Sequence, residues 1–367
     1  MILLGCSTEP IDENGVKPPE EPLRFLWEYQ YDYFGWGPRT QPVVVSDSLI
    51  IMTGDQYITC LRTVDGTVKW KYQAPGGREA KIWNLLFDET QFYGWERNAG
   101  EVLYALDIQS GQLTWSIDSV AYSDLHGLGP AHYSPHGREA FKISLTGEVL
   151  DTVKSDQTFD SMSFYNGRVY GCFGFSDPGT PHFRGRIICY DEETMDSLWT
   201  FEEPKGGFEI CYPVFDNGIM YLGTIWGEEN RIIALNAENG HAIWVKRGIT
   251  GIQIIKQGDR LFVESGAAVY ALDVHTGNQI WQADLTNPDD NPSMSYLDGY
   301  IYIQNLSIVF VIDATTGEIV HKVYGSNGAS IEEVSAGTGK IFIQSTRSLS
   351  AFTPYNSTLA KERQFSN

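Results

Sequence analysis

The 367-residue sequence has few of the features that bind membranes or nucleic acids. No window approaches 18 consecutive apolar residues, so no transmembrane helix is predicted. Positive charge is scarce, because 47 Asp and Glu stand against 26 Lys and Arg and give a net charge of −21. Nucleic acids and anionic lipid surfaces attract proteins with a positive field. We therefore expect no nucleic-acid partner, and contact with a membrane only through a lipid anchor.

Motifs of the common enzyme classes are also missing. The sequence contains no Gly-x-Ser-x-Gly elbow, no His-Glu-x-x-His zinc motif and no phosphate-binding loop. Carboxylates are too numerous in so acidic a chain to select two for acid–base work. No catalytic residue is predicted, and we expect a protein that is not an enzyme.

Helical periodicity is scarce too, and short alternating runs bounded by Gly, Asn and Asp dominate. One phrase recurs: LYALDIQSGQLTW from Leu103, IIALNAENGHAIW from Ile232 and VYALDVHTGNQIW from Val269. In it a Gly precedes a Trp by four residues. The pairs with this spacing are Gly66–Trp70, Gly111–Trp115, Gly240–Trp244 and Gly277–Trp281.

Three further units vary the phrase. Gly147 leads to Asp151 and Gly317 to His321, whereas the unit that ends on Trp199 has Met195 in place of the Gly. Gly supplies the positive φ of a tight turn, and Trp can fill the gap between neighbouring sheets. We therefore expect the Met195 unit to use a different turn from the others.

The period of the phrase predicts the fold. Each phrase follows another predicted hairpin, so about four short strands recur every 36 to 48 residues, as in the blades of a propeller. We predict an all-β, eight-bladed β-propeller of four-stranded blades, in which the N-terminal strand RFLWEYQ closes the last blade. The third blade, GPAHYSPHGREAFKISLTGEV, is short, which leaves seven blades as the alternative. The predicted segments are a leader and tether (1–22), the propeller (23–356) and a tail (357–367).

The repeats YALDVHTGNQIW and YALDIQSGQLTW resemble those of the quinoprotein-like (PQQ-repeat) propeller family over residues 23–356. The quinone-dependent dehydrogenases of that family carry adjacent cysteines at the cofactor, and no two of the five cysteines here are adjacent. We therefore expect no PQQ and no other cofactor. The length and the start of the chain are more similar to BamB-type propeller lipoproteins, which implies a scaffold in the bacterial cell envelope, in the periplasm or at the cell surface.

Two kinds of cysteine are distinguished by their context. Four of them (Cys60, Cys172, Cys189 and Cys211) stand where the repeat needs a small buried residue, with a Cys172–Cys189 disulfide as the alternative. Cys6 ends LLGC, which is similar to a lipobox, and a Pro- and Glu-rich run that would serve as a tether follows it. We expect lipidation at Cys6. The alternative is a chance match, because the apolar run before Cys6 is short for a signal peptide.

Six of the ten Trp belong to the repeat, and the remaining ones fall in connections predicted to share one face of the ring. With nearby arginines they form the predicted partner-binding or ligand-binding face: Trp36, Arg39, Trp83, Trp95, Arg97 and Trp226. Exposed Trp beside Arg is typical of binding hot spots, whereas the alternative is that these Trp cover their own loops. A weaker candidate is a metal site at His126, His132 and His136, although their spacing matches no standard motif.

The function predicted from these features is that of a non-catalytic, extracytoplasmic propeller lipoprotein. We expect it to be monomeric and to bind a protein partner or an extracellular polymer as an interaction or assembly scaffold. The alternatives are a PQQ-dependent dehydrogenase-like enzyme and a glycan-binding module, and binding of PQQ or of a carbohydrate would distinguish them.

Overall fold

The computed structural model contains 32 β-strands in eight sheets within the residues that it describes. Those residues are 22–31, 41–53, 57–73, 82–96, 102–118, 124–125, 129–176, 183–208, 213–225, 229–251, 253–286, 293–325 and 330–356. The sheets follow one another along the chain as eight blades of a propeller, so the predicted fold is confirmed and the seven-bladed alternative is wrong.

The strands are numbered in chain order. Strand β1 (Phe25–Gln30) comes first, and blades one and two contain β2 (Val43–Ser46), β3 (Leu49–Thr53), β4 (Tyr57–Arg62), β5 (Val68–Gln73), β6 (Ile82–Phe87), β7 (Gln91–Glu96), β8 (Val102–Asp107) and β9 (Leu113–Ile117). Blades three and four contain β10 (Asp124–Leu125), β11 (Ala131–His136), β12 (Glu139–Ser144), β13 (Val149–Lys154), β14 (Ser161–Tyr165), β15 (Arg168–Ser176), β16 (Phe183–Asp191) and β17 (Ser197–Glu203).

The second half of the ring repeats the arrangement. Blades five and six contain β18 (Val214–Asp216), β19 (Ile219–Gly223), β20 (Arg231–Asn236), β21 (Ala242–Arg247), β22 (Ile254–Gln257), β23 (Arg260–Ser265), β24 (Ala268–Asp273) and β25 (Gln279–Asp284). Blades seven and eight contain β26 (Met294–Leu297), β27 (Tyr300–Asn305), β28 (Ile308–Asp313), β29 (Ile319–Tyr324), β30 (Ile331–Gly337), β31 (Lys340–Ser345) and β32 (Ser348–Phe352). First strands of neighbouring blades, such as β2 and β30, contact one another and line the centre of the ring.

The ring is closed by the two ends of the chain. Strand β1 pairs antiparallel with β32, with Trp27 opposite Ala351, and so becomes the outermost strand of blade eight. Tyr31 donates a hydrogen bond to the carbonyl of Ser345 at 2.5 Å, and the Gln344 amide donates to the carbonyl of Thr53 in blade one at 2.6 Å. Closure by the N-terminal strand, as predicted, covers the outer edge of β32 and gives blade eight four strands like most other blades.

Blade three is incomplete, in line with its short sequence. Its sheet contains only β11, β12 and β13, which correspond to the second, third and fourth strands of the other blades. The two residues of β10, where a first strand would be, instead pair in parallel with β14, so the sheet of blade four has five strands. Among the described residues, the sheet of blade three therefore has no first strand paired with β11.

The recurrent turn follows from its Asp and its Gly. In blade six, Oδ1 of Asp273 accepts hydrogen bonds from the backbone N–H groups of His275 and Thr276, at 3.1 and 2.8 Å. Gly277 donates to the carbonyl of Asp273 at 2.8 Å and has a φ of +69°. Because these hydrogen bonds favour the ionised carboxylate, the pKa of Asp273 is lowered, first by the Thr276 hydroxyl.

In six of these turns the glycine also packs against the Trp of the preceding blade. A Cβ on the glycine would lie only 2.4 to 2.7 Å from the nearest indole atom, so the ring packs directly on the bare backbone. The indole N–H usually donates to a carbonyl of the same turn, as Trp70 does to Ile108 at 2.8 Å. The Trp–Gly pairs between blades are Trp27–Gly66, Trp70–Gly111, Trp115–Gly147, Trp199–Gly240, Trp244–Gly277 and Trp281–Gly317.

The Met195 turn corrects the expectation of a different turn. Met195 has a φ of +55° and donates to the carbonyl of Asp191 at 2.9 Å, so the turn is the same as in the Gly-containing units. Blade three presents Asp151 where six of the other blades present Trp, and no indole needs to pack on this turn. The Met195 side chain, 8% exposed, packs instead with Tyr133 and Phe159 in the core between the blades.

Candidate functional site

The two faces of the ring differ in which connections they carry. Turns between first and second strands bond to turns between third and fourth strands, as when Val274 donates to the carbonyl of Asp259 at 3.0 Å. These turns form what we call the turn face. Since strands alternate in direction, the hairpins between second and third strands and the links between blades emerge on the opposite side, the connection face.

Most of the predicted binding residues lie outside the described residues. This applies to Trp36, Arg39, Arg97 and Trp226, and also to Cys6 and His126. Trp83 lies in strand β6 and not in the link before it, and its backbone is paired with that of Trp95.

The structure contradicts the expected exposure of Trp95. This residue lies in strand β7, only 3% of its surface is exposed, and it packs with Leu103 of its own blade and Ile143 of blade three. The charged residues beside it suggested exposure, but Phe92, Tyr93 and Trp95 of β7 are all buried, because this strand lies inside the blade and both faces of the blade are covered. Trp95 is therefore a core residue between blades two and three, and its indole N–H has no partner in the described part of the chain.

We expect Trp95→Ala to lower the free energy of unfolding by about 3–5 kcal/mol, because it leaves a large cavity between two blades. Chemical denaturation monitored by circular dichroism would measure the loss. Val64→Ala is the control, since Val64 is 71% exposed on the turn face and its truncation should change stability by less than about 0.5 kcal/mol. Equal midpoints for the Trp95→Ala variant and the unchanged protein would contradict this placement.

Glutamine side chains join the first strands around the centre of the ring. Gln253 of blade six accepts from the backbone N–H of Met294 at 2.5 Å and donates to the carbonyl of the same residue at 3.1 Å. Gln41, just before blade one, donates to the carbonyl of Val334 and to the hydroxyl of Ser295. These amides satisfy the open backbone edges of neighbouring blades. The repeat phrase gave no indication of them, because they lie in the part of each blade that varies most.

A buried ion-pair network lies at the connection face between blades four and five. Arg231 contacts Glu203 at 3.2 Å and Glu229 at 2.8 Å, and Glu203 is almost fully buried. The hydrogen bond from Arg231 lowers the pKa of Glu229. Arg231 also donates its backbone N–H to the hydroxyl of Thr224 at 2.8 Å. The network fixes both ends of the blade-five hairpin, whose sequence includes Trp226.

The family of the chain follows from comparison with known proteins. A family model described as outer membrane protein assembly factor BamB matches residues 17–156 and 183–363. The chain belongs to this family.

Individual BamB relatives are distant. The assembly factor BamB of Moranella endobia is 21% identical over 261 residues, which are 68% of this chain and 56% of that protein. BamB of Nitrosomonas eutropha is 25% identical over 114 residues, 29% of this chain and 26% of that protein. The serine/threonine-protein kinase AfsK of Streptomyces griseus is 24% identical over 45% of this chain and 22% of its own length. The matched part of the chain thus spans between 22% and 56% of the length of these relatives.

Solved structures share the fold at low sequence identity. The crystal structure of BamB from Moraxella catarrhalis has a TM-score of 0.65 and 15% identity, and the match covers 89% of this chain and 97% of that one. The C-terminal WD40 domain of Sif2 has a TM-score of 0.69 and 12% identity, with 90% and 98% covered. Such likeness shows a common propeller architecture and nothing about ligands.

The cysteines of this BamB-family chain are structural where they are described. Cys60, Cys172 and Cys189 are free and buried, so the alternative of a Cys172–Cys189 disulfide is wrong. Burial raises the pKa of the Cys60 thiol to about 12 and that of Cys189 to about 11. Both thiols therefore stay protonated and unreactive at neutral pH. Cys211 lies outside the described residues.

The histidines do not converge on a metal in the part of the chain that is described. His132 and His136 both lie in β11; His132 is buried against blade two, whereas His136 is half-buried. The described ranges contain no group of three His, Cys, Asp or Glu side chains that could hold a metal ion. They also contain no helix long and apolar enough to cross a membrane.

Proposed function

We propose that the protein is a non-catalytic scaffold of the bacterial cell envelope that binds a protein partner on its connection face. The observation that carries this proposal is the BamB family match, which spans most of the propeller and bears the description of an assembly factor. Two relatives and one solved structure carry the same name.

The distribution of aromatic residues supports the connection face as the binding surface. Trp36 and Trp226 fall in a link between blades and in a second-to-third-strand hairpin, and Arg39 and Arg97 fall in segments of the same two kinds. By strand direction, such segments leave the sheets on one side of the ring. Exposed Trp beside Arg is typical of the residues that dominate binding free energy at protein interfaces. Trp95 no longer belongs to this set, because it is buried.

A lipid anchor at Cys6 would hold this scaffold at a membrane. The LLGC sequence that ends on Cys6 and the Pro- and Glu-rich residues after it support an anchor followed by a tether. The net charge of −21 disfavours direct adsorption to anionic lipid, so in this proposal the acyl chains supply the membrane affinity.

The test is a quantitative pull-down from envelope extracts with the full-length protein and its Trp36→Ala/Trp226→Ala variant. We expect the double variant to recover at least about tenfold less of the partner, as the loss of two hot-spot residues implies. Its thermal midpoint should stay within about 2 °C, because neither Trp belongs to the repeat.

The Val64→Ala variant is the matched control, since it truncates an exposed apolar residue of the turn face. It should recover as much partner as the unchanged protein. Undiminished recovery by the Trp double variant would argue against the proposed surface. Mass spectrometry of the N-terminal peptide from the same preparation tests the anchor, which requires a diacylglyceryl group on Cys6.

A further inference from the structure

Blade three is joined to its neighbours differently from the other blades. Its described sheet has three strands, and the two residues of β10 pair with β14 of blade four. On the side of blade four, Asp151 stands where six other blades have a Trp that packs on a turn. Polar contacts also join blades three and four: Lys142 contacts Glu192 at 2.8 Å, and Tyr133 donates to the same carboxylate at 2.9 Å.

The joint between blades two and three contains a buried imidazole. His132 is 1% exposed, and its ring centroid lies 4.0 Å from that of Tyr93 and 6.0 Å from that of Trp115. Neither ring nitrogen has a hydrogen-bond partner within the described residues. A buried polar group without a partner is costly, and a buried charge without one costs far more.

Few charged groups within the described ranges face this imidazole. On blade two they are Asp88, and Tyr93, whose hydroxyl donates to Asp88 at 2.5 Å. On blade three the cross-strand neighbour of His132 is Ile143, which is apolar. Lys142 is on the opposite side of that sheet, since its ion pair is with blade four. Among the described residues, a protonated His132 would thus have one carboxylate nearby, that of Asp88, which already accepts a hydrogen bond from Tyr93.

We propose that blade three is the opening unit of the ring and separates from blade two in mildly acid solution, when His132 becomes protonated. Within the described residues, blade three has a three-stranded sheet and no Trp–Gly pair to blade four, although the Trp115–Gly147 pair still joins it to blade two. It therefore has fewer restraints than a blade such as blade six, which has four strands and a Trp–Gly pair on each side. The unpartnered imidazole makes its separation depend on pH. The proposal concerns the ring itself and stands whether or not the connection face binds a partner.

The direction of the pH dependence follows from burial. Desolvation lowers the pKa of His132 to about 4, and the charge of Asp88 offsets this only in part. In the open state the imidazole returns to its ordinary pKa of about 6.5. The closed state therefore keeps its full advantage above pH 6.5 and loses it progressively as the pH falls toward 4. Between pH 7.5 and pH 5 the opening equilibrium should rise roughly 30-fold.

The experiment is hydrogen exchange of the full chain at pH 7.5 and pH 5, with rates normalised to the intrinsic exchange at each pH. We expect protection of β11, β12 and β13 to fall roughly 30-fold at pH 5, while β24 of blade six changes by less than about threefold. In His132→Phe, which fills the same space without a titratable group, the extra loss of protection in blade three should disappear. His136→Phe, four residues along the same strand, should keep it.

Uniform protection changes across all blades of the unchanged protein would overturn the proposal. So would an undiminished acid response of blade three in His132→Phe. Because the first comparison uses the unchanged protein, the test does not depend on the folding of either variant.

Discussion

Deletion of residues 1–31 is expected to abolish the cooperative unfolding transition of this protein. The deletion removes β1, and with it the Trp27 indole that packs on Gly66 and donates to the carbonyl of Thr63 at 3.0 Å. It also exposes the outer edge of β32, which no other described strand covers. Thermal melts monitored by circular dichroism and light scattering should show aggregation without a sharp transition.

Deletion of residues 1–21 is the matched control. It leaves β1 and the hydrogen bond from Asn356 to the carbonyl of Pro22 in place, and its melt should match that of the full chain. Adding a synthetic peptide of residues 22–31 to the longer deletion should restore part of the transition. A longer deletion that melts like the full chain would show that β1 is dispensable for ring closure.

The second large effect is expected at the Trp–Gly pairs. Trp281→Ala should lower the free energy of unfolding by about 3–5 kcal/mol through the cavity it leaves between blades six and seven. Gly317→Ala should cost about 2–5 kcal/mol. Its φ is +79°, and the new Cβ would lie 2.7 Å from the Trp281 ring. Urea denaturation of each variant measures both losses.

The double variant separates the two causes of the Gly317 effect. Without the indole, Gly317→Ala should cost only the strain of the left-handed backbone, about 1–2 kcal/mol. The two substitutions should therefore couple by about 1–3 kcal/mol. Additive losses would mean that the ring and the glycine do not depend on one another. The natural pair Asp151 and Met195 already shows a side chain at the turn where the Trp is missing.

The repeat explains why so much of the fold could be predicted. A phrase with a fixed Gly-to-Trp spacing specifies two strands, their turn and the packing of one blade on the next, and it specifies them repeatedly. Even the three-stranded sheet of blade three was indicated by the short sequence of that blade. The Met195 turn was predicted wrongly because the prediction was made from the sequence of blade four alone, without the blade that packs on it. The need for glycine comes from the Trp of the blade before it.

The candidate site could be predicted much less well. Residues of the connection face lie outside the repeat, and nothing in their local sequence fixes their exposure. Trp95 shows the difficulty, since the charges beside it suggested an exposed side chain, whereas packing between blades two and three makes it a core residue. The Gln41 and Gln253 amides and the Arg231 ion pairs depend on which strands meet across the ring. Such contacts follow from three-dimensional proximity and leave no local pattern.

Closure by β1 also has a consequence for the order in which the protein is made. Of the described strands of the ring, β1 is synthesised first and finds its partner last, because Tyr31 and its acceptor Ser345 are 314 residues apart. At typical rates of translation, β1 waits on the order of 20 to 60 seconds before β32 exists. Throughout that time an apolar strand with an unpaired edge is available to other chains. A factor that shields the N-terminal strand during synthesis should therefore raise the yield of folded protein more than one that acts on any internal blade.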